Sequence, residues 1–294
     1  MIKIAFGMIV FEGDYVLREC LEQVYPYATQ ILVAEGPVKY WQDRGRTTST
    51  DNTNNILNSF PDPENKITVV HGQYSEKDEQ CNAYIKHMRA DIDYLWNLDS
   101  DEIYKKRDIE KTIEFLDREK PTSVGVRSLS FYGGFDNYLT GFELNRDNFL
   151  RIFRVTDGSE WLTHRPPTIR YPSEHKIVKK HIDSNTFYEL TGVQMYHYSY
   201  VFPLQVKNKI EYYKAKVSRH KCIDDYYNQV YLPWMKGEDF DKFCLEKEYE
   251  GVHEFKPEYR GPCYTEPFNG EHPMSIQENL NALESRIKLE LKDE

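Results

Sequence analysis

The fold of this chain is indicated most directly by Asp91–Glu102, which reads DIDYLWNLDSDE. Its middle, residues 94–98, is a short aromatic and apolar run between polar residues, a pattern typical of a strand buried on both faces. The strand ends at Asp99-Ser100-Asp101, and open α/β sheets bind ligands just past the carboxyl ends of their strands. Carboxylates at such an edge can hold a divalent cation, and the cation can hold a diphosphate. We therefore predict a cation and phosphate site at Asp99 and Asp101.

Apolar runs that alternate with helical patterns precede this strand. Strands are predicted at residues 3–10, 30–34 and 67–71. Helices are predicted after Asp14, from near Asp51, and over residues 76–88, with Asp14 as the N-cap of the first helix. This alternation of strands and helices indicates a three-layer α/β/α sandwich around a mixed, mostly parallel sheet.

The pattern changes beyond Glu102. A helix over residues 108–119 is followed by three predicted strands, 124–131, 149–155 and 193–200. After Pro203 apolar residues recur at helical spacing, and a last helix is predicted over residues 276–291. We predict two domains, an α/β domain at 1–204 and a C-terminal helical extension at 205–294.

Composition excludes several classes of protein. The formal net charge is −10 over 294 residues, which argues against a nucleic-acid partner. No run approaches the roughly 20 apolar residues of a spanning helix, so no transmembrane segment is expected. The five cysteines form no CxxC pair, which favours a reducing, cytoplasmic location. The sequence does not predict an oligomeric state.

Several common catalytic motifs are absent from the chain. There is no GxGxxG after a predicted strand, no GxxxxGK[ST], no GxSxG and no HExxH. The dinucleotide-dependent dehydrogenases, P-loop NTPases, α/β-hydrolases and zincins are thereby disfavoured.

The order of the remaining motifs resembles a GT-A glycosyltransferase of the family 2 type. The segments that carry the resemblance, within roughly the first 105 residues, are Gly7–Val10 (GMIV), Gln30–Glu35 (QILVAE), Ser49–Thr53 (STDNT), Gln80–Asn82 (QCN) and the Asp99-Ser100-Asp101 strand end. Glu35 stands where the family usually has Asp. A loop rich in Arg, Trp and Tyr, residues 37–48, separates it from Ser49.

The resemblance implies a GT-A fold and a nucleotide diphosphate sugar as donor. It also implies that the region around strands one and two binds the base and ribose. The predicted nucleotide-binding residues are Val10, Glu35, Asp51, Gln80, Asp99 and Ser100.

Three residues are predicted to bind Mn²⁺ or Mg²⁺: Asp99, Asp101 and His197. Asp99 and Asp101 supply the oxygen ligands that these ions prefer, and an imidazole suits Mn²⁺. For the aspartates the alternative is a solvated acidic loop, and for His197 it is a hydrogen-bonded histidine among packed tyrosines. An EF-hand is excluded, because Tyr104 occupies the position of its invariant Gly.

An inverting transfer needs a base, normally Asp or Glu, that takes the proton of the acceptor hydroxyl. Asp136, Glu143, Glu160 and Glu174 lie between the Asp-x-Asp pair and His197. We rank Glu160 and Glu174 first, since Trp161 and His175 beside them suit a sugar site. For each, the alternative is a plain surface carboxylate.

The sequence thus predicts a metal-dependent transfer of a sugar to a glycan or another hydroxyl acceptor, with inversion. One alternative is a nucleotidyltransferase, whose glycine-rich basic phosphate loop is replaced here by Phe11-Glu12-Gly13-Asp14. Another is a catalytically inactive carbohydrate-binding protein.

Overall fold

The computed structural model of the chain describes residues 2–141, 149–172 and 179–294. The strands are β1 Ile4–Val10, β2 Gln30–Glu35, β3 Ile67–His71, β4 Tyr94–Asp99, β5 Glu102–Ile103, β6 Ser123–Tyr132, β7 Asn137–Gly141, β8 Phe149–Arg154, β9 Glu160–Thr163, β10 Thr168–Arg170, β11 His181–Ile182, β12 Gln194–Tyr200 and β13 Cys263–Pro267. The helices are α1 Leu17–Val24, α2 Lys39–Gln42, α3 Thr53–Ser59, α4 Lys77–Ile85, α5 Lys106–Glu119, α6 Ser184–Thr191, α7 Pro203–Lys216, α8 Leu232–Lys236, α9 Asp239–Glu248, α10 Pro257–Arg260 and α11 Met274–Lys292.

The chain forms two compact units. The first consists of Met1–Arg127, Asn148–Met195 and Pro273–Ser275, and the second of Ser128–Asp147, Tyr196–His272 and Ile276–Glu294. The predicted division into domains 1–204 and 205–294 stays a prediction.

In the first unit, the beginning of β6 and five further strands follow one another in the order β6-β8-β4-β1-β2-β3. The neighbours β4, β1, β2 and β3 are parallel, whereas β8 is antiparallel to both β4 and β6. The predicted α/β fold, with a mixed, mostly parallel sheet and C-terminal helices, is confirmed.

The strand that ends in Asp99 lies in the middle of this order and is buried as its composition predicts. Residues 94–98 are all buried, and Trp96 packs against Phe6 and Tyr104 with ring centroids 5.3 and 4.8 Å apart. Burial of large aromatic side chains is a main source of stability in such a core. The packing fixes where β4 ends, and therefore where Asp99 lies.

The first helix begins later than predicted, and its predicted cap is wrong. α1 has Val16 at its N-cap, without a side-chain hydrogen bond. The Asp14 carboxylate instead accepts a hydrogen bond from the N–H of Asn52 at 3.1 Å. A partner distant in sequence has replaced the local one.

The second unit combines an antiparallel edge with helices. β13, β7 and the end of β6 are hydrogen-bonded in that order. Its core is rich in aromatic side chains, among them Tyr132, Tyr226, Tyr231 and Trp234. β13 was not predicted, because its residues are largely exposed and lack an alternating apolar pattern.

Within the described ranges, no helix combines the length and the apolar character needed to cross a bilayer. The cytoplasmic location stays a prediction.

Candidate functional site

The carboxyl ends of four parallel strands lie level with one another in the first unit. The register pairs Ile9 with Asp99, Val10 with Glu35, and Glu35 with His71. Three of the predicted site residues are therefore brought to one edge of the sheet, although they are distant in sequence.

The Ser-Thr-Asp run holds the loop that follows β1. The backbone N–H groups of residues 12, 13 and 14 donate to Ser49 Oγ, Thr53 Oγ1 and Asp51 Oδ2 at 2.9, 2.9 and 3.1 Å. The other oxygen of Asp51 accepts the N–H of Thr53 at 3.0 Å. The Asp51 carboxylate thus fixes the backbone of the loop after β1, beside the predicted nucleotide site.

Gln80 ties the ends of β1 and β2 together. Its side-chain amide donates to the carbonyl oxygens of Val10, Ala34 and Gly36 at 3.4, 2.9 and 3.2 Å, and the residue is buried. These three hydrogen bonds all go to backbone carbonyl oxygens, so Gln80 supports the site by fixing the backbone at the two strand ends.

Glu35 is buried at the end of β2 with both carboxylate oxygens engaged. Oε1 accepts the N–H of Ser49 at 3.1 Å, and Oε2 lies 3.0 Å from Nδ1 of His71. Its side chain is 2% exposed, whereas that of His71 is 51% exposed.

The loops after β1 and β4 approach each other closely at Gly13. A Cβ atom there would lie 2.7 Å from Val10 Cγ2 and 2.8 Å from Ser100 Oγ. A glycine therefore allows Ser100 to lie beside the β1 loop, next to Asp99 and Asp101.

Arg151 on β8 neutralises the acidic end of β4. Its guanidinium forms a two-point ion pair with Glu102, with Nε 2.8 Å from Oε2, and Nη2 lies 3.2 Å from Asp99 Oδ2. The side chain of Glu102 is fully buried, and that of Arg151 is 8% exposed. Burial would raise the pKa of Asp99, but the positive charge of Arg151 brings that pKa well below its usual value. Asp99 is therefore a carboxylate at neutral pH.

Asp101 lies two residues further on, in a half-buried position. Among the residues the structure describes, no group of three or more His, Cys, Asp or Glu side chains is arranged to hold a metal ion. Two carboxylates on one loop do suit Mg²⁺, which commonly combines one or two carboxylates with water and substrate phosphates.

His164 is a buried histidine beside this edge. Its Nδ1 lies 3.7 Å from Cys81 Sγ, and its backbone N–H donates to the Asp78 carboxylate. Burial lowers the pKa of His164 to about 3, so the ring is neutral at physiological pH.

Asn82 on α4 fixes the β9–β10 hairpin through a pair of backbone contacts. Its side chain donates to the carbonyl of Trp161 at 2.8 Å and accepts the N–H of Trp161 at 2.9 Å. The Gln-x-Asn helix thus positions two strand ends through Gln80 and the hairpin through Asn82.

The predicted bases are placed differently from one another. Glu160 pairs with Arg170 across the hairpin, with Arg170 Nε 2.6 Å from Glu160 Oε1. Glu174 and Glu143 lie outside the described residues. Asp136 is exposed and belongs to the second unit. The assignment of the base to Glu160 or Glu174 stays a prediction.

His197 lies on β12 in the second unit, in a half-buried position. The adjacent Tyr196 and Tyr198 stack on Phe131. The prediction that His197 and Asp101 bind the same cation stays a prediction.

The loop between β2 and the Ser-Thr-Asp run carries a short helix, α2, with aromatic and basic side chains. The ring of Trp41 lies 6.0 Å from that of Phe11, which follows β1. Arg46 lies 2.8 Å from the carboxylate of Glu12. This insertion therefore borders the end of β1.

Sequence reasoning missed three residues of this edge: Arg151, His164 and His71. Arg151 does have a signal in the sequence, because a basic residue within the apolar β8 run, FLRIFR, needs a buried partner. His71 ends a predicted strand, and that position was available as a signal.

Residues 47–173 match the family model described as Glycosyl transferase family 2. Solved structures of S. aureus TarS are also similar. The TarS 1–349 complex with UDP has 15% identity and a TM-score of 0.35 over 46% of this chain and 38% of that one. The complex with UDP-GlcNAc has 13% identity and a TM-score of 0.36 over 52% and 45%.

The chain spans less than half the length of each TarS structure that it matches. The sequence search found no match among curated proteins. The family model confirms the predicted resemblance over residues 47–173, which include Ser49–Thr53, Gln80–Asn82 and the Asp99-Ser100-Asp101 strand end, whereas Gly7–Val10 and Gln30–Glu35 precede the matched residues.

Proposed function

We propose that this chain is a metal-dependent, inverting glycosyltransferase that moves a sugar from a nucleotide diphosphate sugar to a hydroxyl group of a glycan or another glycoconjugate. The observation that carries the proposal is the family 2 segment, because it contains Asp99 and Asp101 at the carboxyl end of β4. The neighbouring ends of β1 and β2 lie level with it, as a ligand that crosses several strand ends requires.

The nucleotide lies over the ends of β1 and β2 in this proposal. The rings of Phe11 and Trp41 offer apolar faces for a planar base, and Arg46 brings a positive charge to the same border. Asp51 and Gln80 support this position indirectly, because they hold the backbone on which the nucleotide rests.

The diphosphate lies at the end of β4. Asp99 and Asp101 would hold Mn²⁺ or Mg²⁺ together with the phosphate oxygens, since Mg²⁺ needs only one or two protein carboxylates in such sites. When bound, the cation offsets the charge of the departing diphosphate. Arg151 keeps Asp99 ionised and restrains its side chain.

The acceptor hydroxyl attacks the anomeric carbon from the face opposite the diphosphate. The bond between that carbon and the diphosphate oxygen breaks, and the hydroxyl proton passes to a carboxylate, for which Glu160 and Glu174 are the candidates. Inversion follows from a single displacement.

The test combines binding with turnover. Thermal unfolding is measured with UDP-, GDP- and dTDP-sugars, with and without Mn²⁺, because a ligand that binds only the native state raises the unfolding midpoint. We expect one donor to stabilise the protein in a metal-dependent manner, and to be consumed when an acceptor is present. The same assay tests His197, since the variant His197→Ala should need more Mn²⁺ for half activity.

For substitution of Asp101 the matched control is Asp157→Asn, which changes an exposed aspartate in the β8–β9 loop of the same unit and should keep full activity. Donor binding without turnover over a broad panel of acceptors would contradict the enzymatic proposal and favour an inactive carbohydrate-binding protein. Release of inorganic diphosphate from a nucleoside triphosphate would indicate a nucleotidyltransferase instead.

A further inference from the structure

The buried Glu35 and the exposed His71 form a pair at the ends of β2 and β3. We propose that His71, held by Glu35, selects the base of the bound nucleotide by accepting a hydrogen bond from a ring N–H. The inference rests on the proposed function, which places a nucleotide at this edge.

The backbone brings the two side chains together. The register pairs Glu35 with His71, and the N–H of Gly72 donates to the carbonyl of Glu35 at 3.0 Å. Gly36 has a φ of +140°, and a Cβ atom there would lie 1.9 Å from the carbonyl oxygen of Gly72. Only glycine fits this approach, so the spacing between the two strand ends is fixed.

Because Glu35 is buried, its carboxylate is not exposed to a ligand in the cleft. Its side chain is 2% exposed, and each oxygen already faces a donor, the N–H of Ser49 or the ring of His71. His71 is 51% exposed. The carboxylate therefore acts on the cleft through the imidazole.

The contact assigns the tautomer of the ring. A carboxylate only accepts hydrogen bonds, so His71 Nδ1, 3.0 Å from Glu35 Oε2, carries a hydrogen. In a neutral imidazole the other nitrogen, Nε2, then has a lone pair and accepts. The pair thus presents an acceptor at the end of β3.

An acceptor at this position distinguishes the nucleobases. Uracil, thymine and guanine have a ring N–H on their pairing edge, whereas cytosine and adenine have a ring nitrogen with a lone pair there. The ring nitrogen of cytosine or adenine would face the lone pair of Nε2 with no hydrogen between the two atoms. We therefore infer a donor that carries uracil, thymine or guanine.

The substitution Glu35→Gln should reverse the tautomer of His71. The N–H of Ser49 requires an acceptor at its 3.1 Å partner, so the amide oxygen of the glutamine faces Ser49 and its NH₂ group faces His71. Nδ1 must then accept, which moves the ring hydrogen to Nε2. The variant presents a donor where the original chain presents an acceptor.

The test measures the affinities for UDP and CDP by calorimetry near pH 8, where an ordinary imidazole is neutral. These two nucleotides differ only in the pairing edge of the base. We expect the original chain to bind UDP at least about tenfold more tightly, since a polar group that a bound ligand covers without giving it a partner weakens binding by about this factor or more. In Glu35→Gln the UDP to CDP preference should fall at least about tenfold, and His71→Phe should abolish it.

Nitrogen-15 chemical shifts of the His71 ring report the tautomer without any ligand. We expect the hydrogen on Nδ1 in the original chain and on Nε2 in Glu35→Gln. The control is His87→Phe, an exposed histidine whose carbonyl contacts Gln30 at the opposite end of β2; its nucleotide preference should equal that of the original chain.

Several results would overturn the inference. Equal affinity for UDP and CDP, or an unchanged preference in His71→Phe, would exclude His71 as the selecting group. The same tautomer in Glu35→Gln would exclude control of the ring by Glu35. Each result would leave the proposed function intact. Failure of the original chain to bind any nucleoside diphosphate would instead contradict the proposed function, and this inference with it.

Discussion

Two arginine–carboxylate pairs of the first unit have the same chemistry in opposite surroundings. Arg151 and Glu102 are 8% and 0% exposed, and Arg151 also reaches Asp99. Arg170 and Glu160 are 57% and 47% exposed. In sequence the two pairs look alike, since each has a charged residue inside a short strand. Only the first pair is buried away from solvent.

The difference in burial decides what each pair does. Removal of one partner from a buried pair leaves an uncompensated charge and costs about 3–5 kcal/mol, whereas an exposed pair contributes about 0–1 kcal/mol. The buried pair therefore fixes the strand end at which Asp99 lies. The exposed pair restrains Glu160 far less, since solvent competes with Arg170 for its carboxylate.

The largest effect is expected for Arg151→Met. The variant leaves Glu102 buried without its counter-charge, so the free energy of unfolding should fall by about 3–5 kcal/mol. Urea denaturation measures this change. The double variant Arg151→Met with Glu102→Gln should regain much of the loss, because the buried charge is then removed. A loss below about 1 kcal/mol in the single variant would show that the pair behaves like the exposed one.

Asp101→Ala should affect turnover far more than stability. The residue is half-buried, and in the proposed mechanism it serves the cation rather than the core. We expect turnover to fall by about 100-fold or more, a typical loss when an electrostatic group of an active site is removed, with little change in the unfolding midpoint. Asp99→Ala should reduce both, since Asp99 also contacts Arg151. Full activity of Asp101→Ala in Mn²⁺ would contradict its assignment as a ligand.

Stability should depend on pH through His164, which lies buried near the acidic strand end. Its pKa in the folded chain is about 3 because of burial, below the value of about 6.5 of an unfolded histidine. The unfolded state thus binds more protons between these values. The stabilisation is complete above about pH 6.5 and is lost as the pH falls toward 3, by up to about 1.4 kcal/mol per pH unit.

Urea denaturation between about pH 7 and pH 4 checks the slope, and His164→Asn should reduce it, leaving the contribution of His253, whose pKa burial lowers to about 4. The control His87→Asn changes an exposed histidine and should keep the slope. Asp99 contributes in the same direction only below about pH 4, the range in which an unfolded aspartate is protonated. An unchanged slope in His164→Asn would assign the pH dependence to another group.

The smallest effect on stability is expected for Glu160→Gln. The ion pair with Arg170 is about half exposed, so its loss should change the free energy of unfolding by less than about 1 kcal/mol. Turnover then separates the two candidate bases, because loss of the base lowers the rate by about 100-fold or more. We expect such a fall in Glu160→Gln or in Glu174→Gln. Full activity in both would reject both assignments.

The long elements were predictable because their signal is local. β3 begins and ends where the sequence indicates, and β4 and β8 deviate by a residue. The short strands β9 and β10 and the edge strand β13 were not predicted, since each has few residues and is stabilised by pairing with a distant segment or across a bend.

For the candidate site, the identity of several residues was predictable from the sequence, but their contacts were not. Asp99, Asp101, Glu35, Asp51 and Gln80 were selected from their order along the chain and their resemblance to the family pattern. Their interactions were not predictable, because the Glu35 carboxylate contacts a residue 36 positions away, and Arg151 pairs with Glu102 over 49 positions.

Sequence alone was sufficient for the fold class and for the resemblance to glycosyl transferase family 2 over residues 47–173, because periodicity and motif order depend on neighbouring residues. The tertiary structure was needed to show that Asp51 and Gln80 hold backbone, that Arg151 neutralises the end of β4, and that Glu35 contacts His71. The physical reason is burial. A charged side chain that is removed from solvent needs an opposite charge or a hydrogen-bond partner, and only the folded chain shows which residue provides that partner.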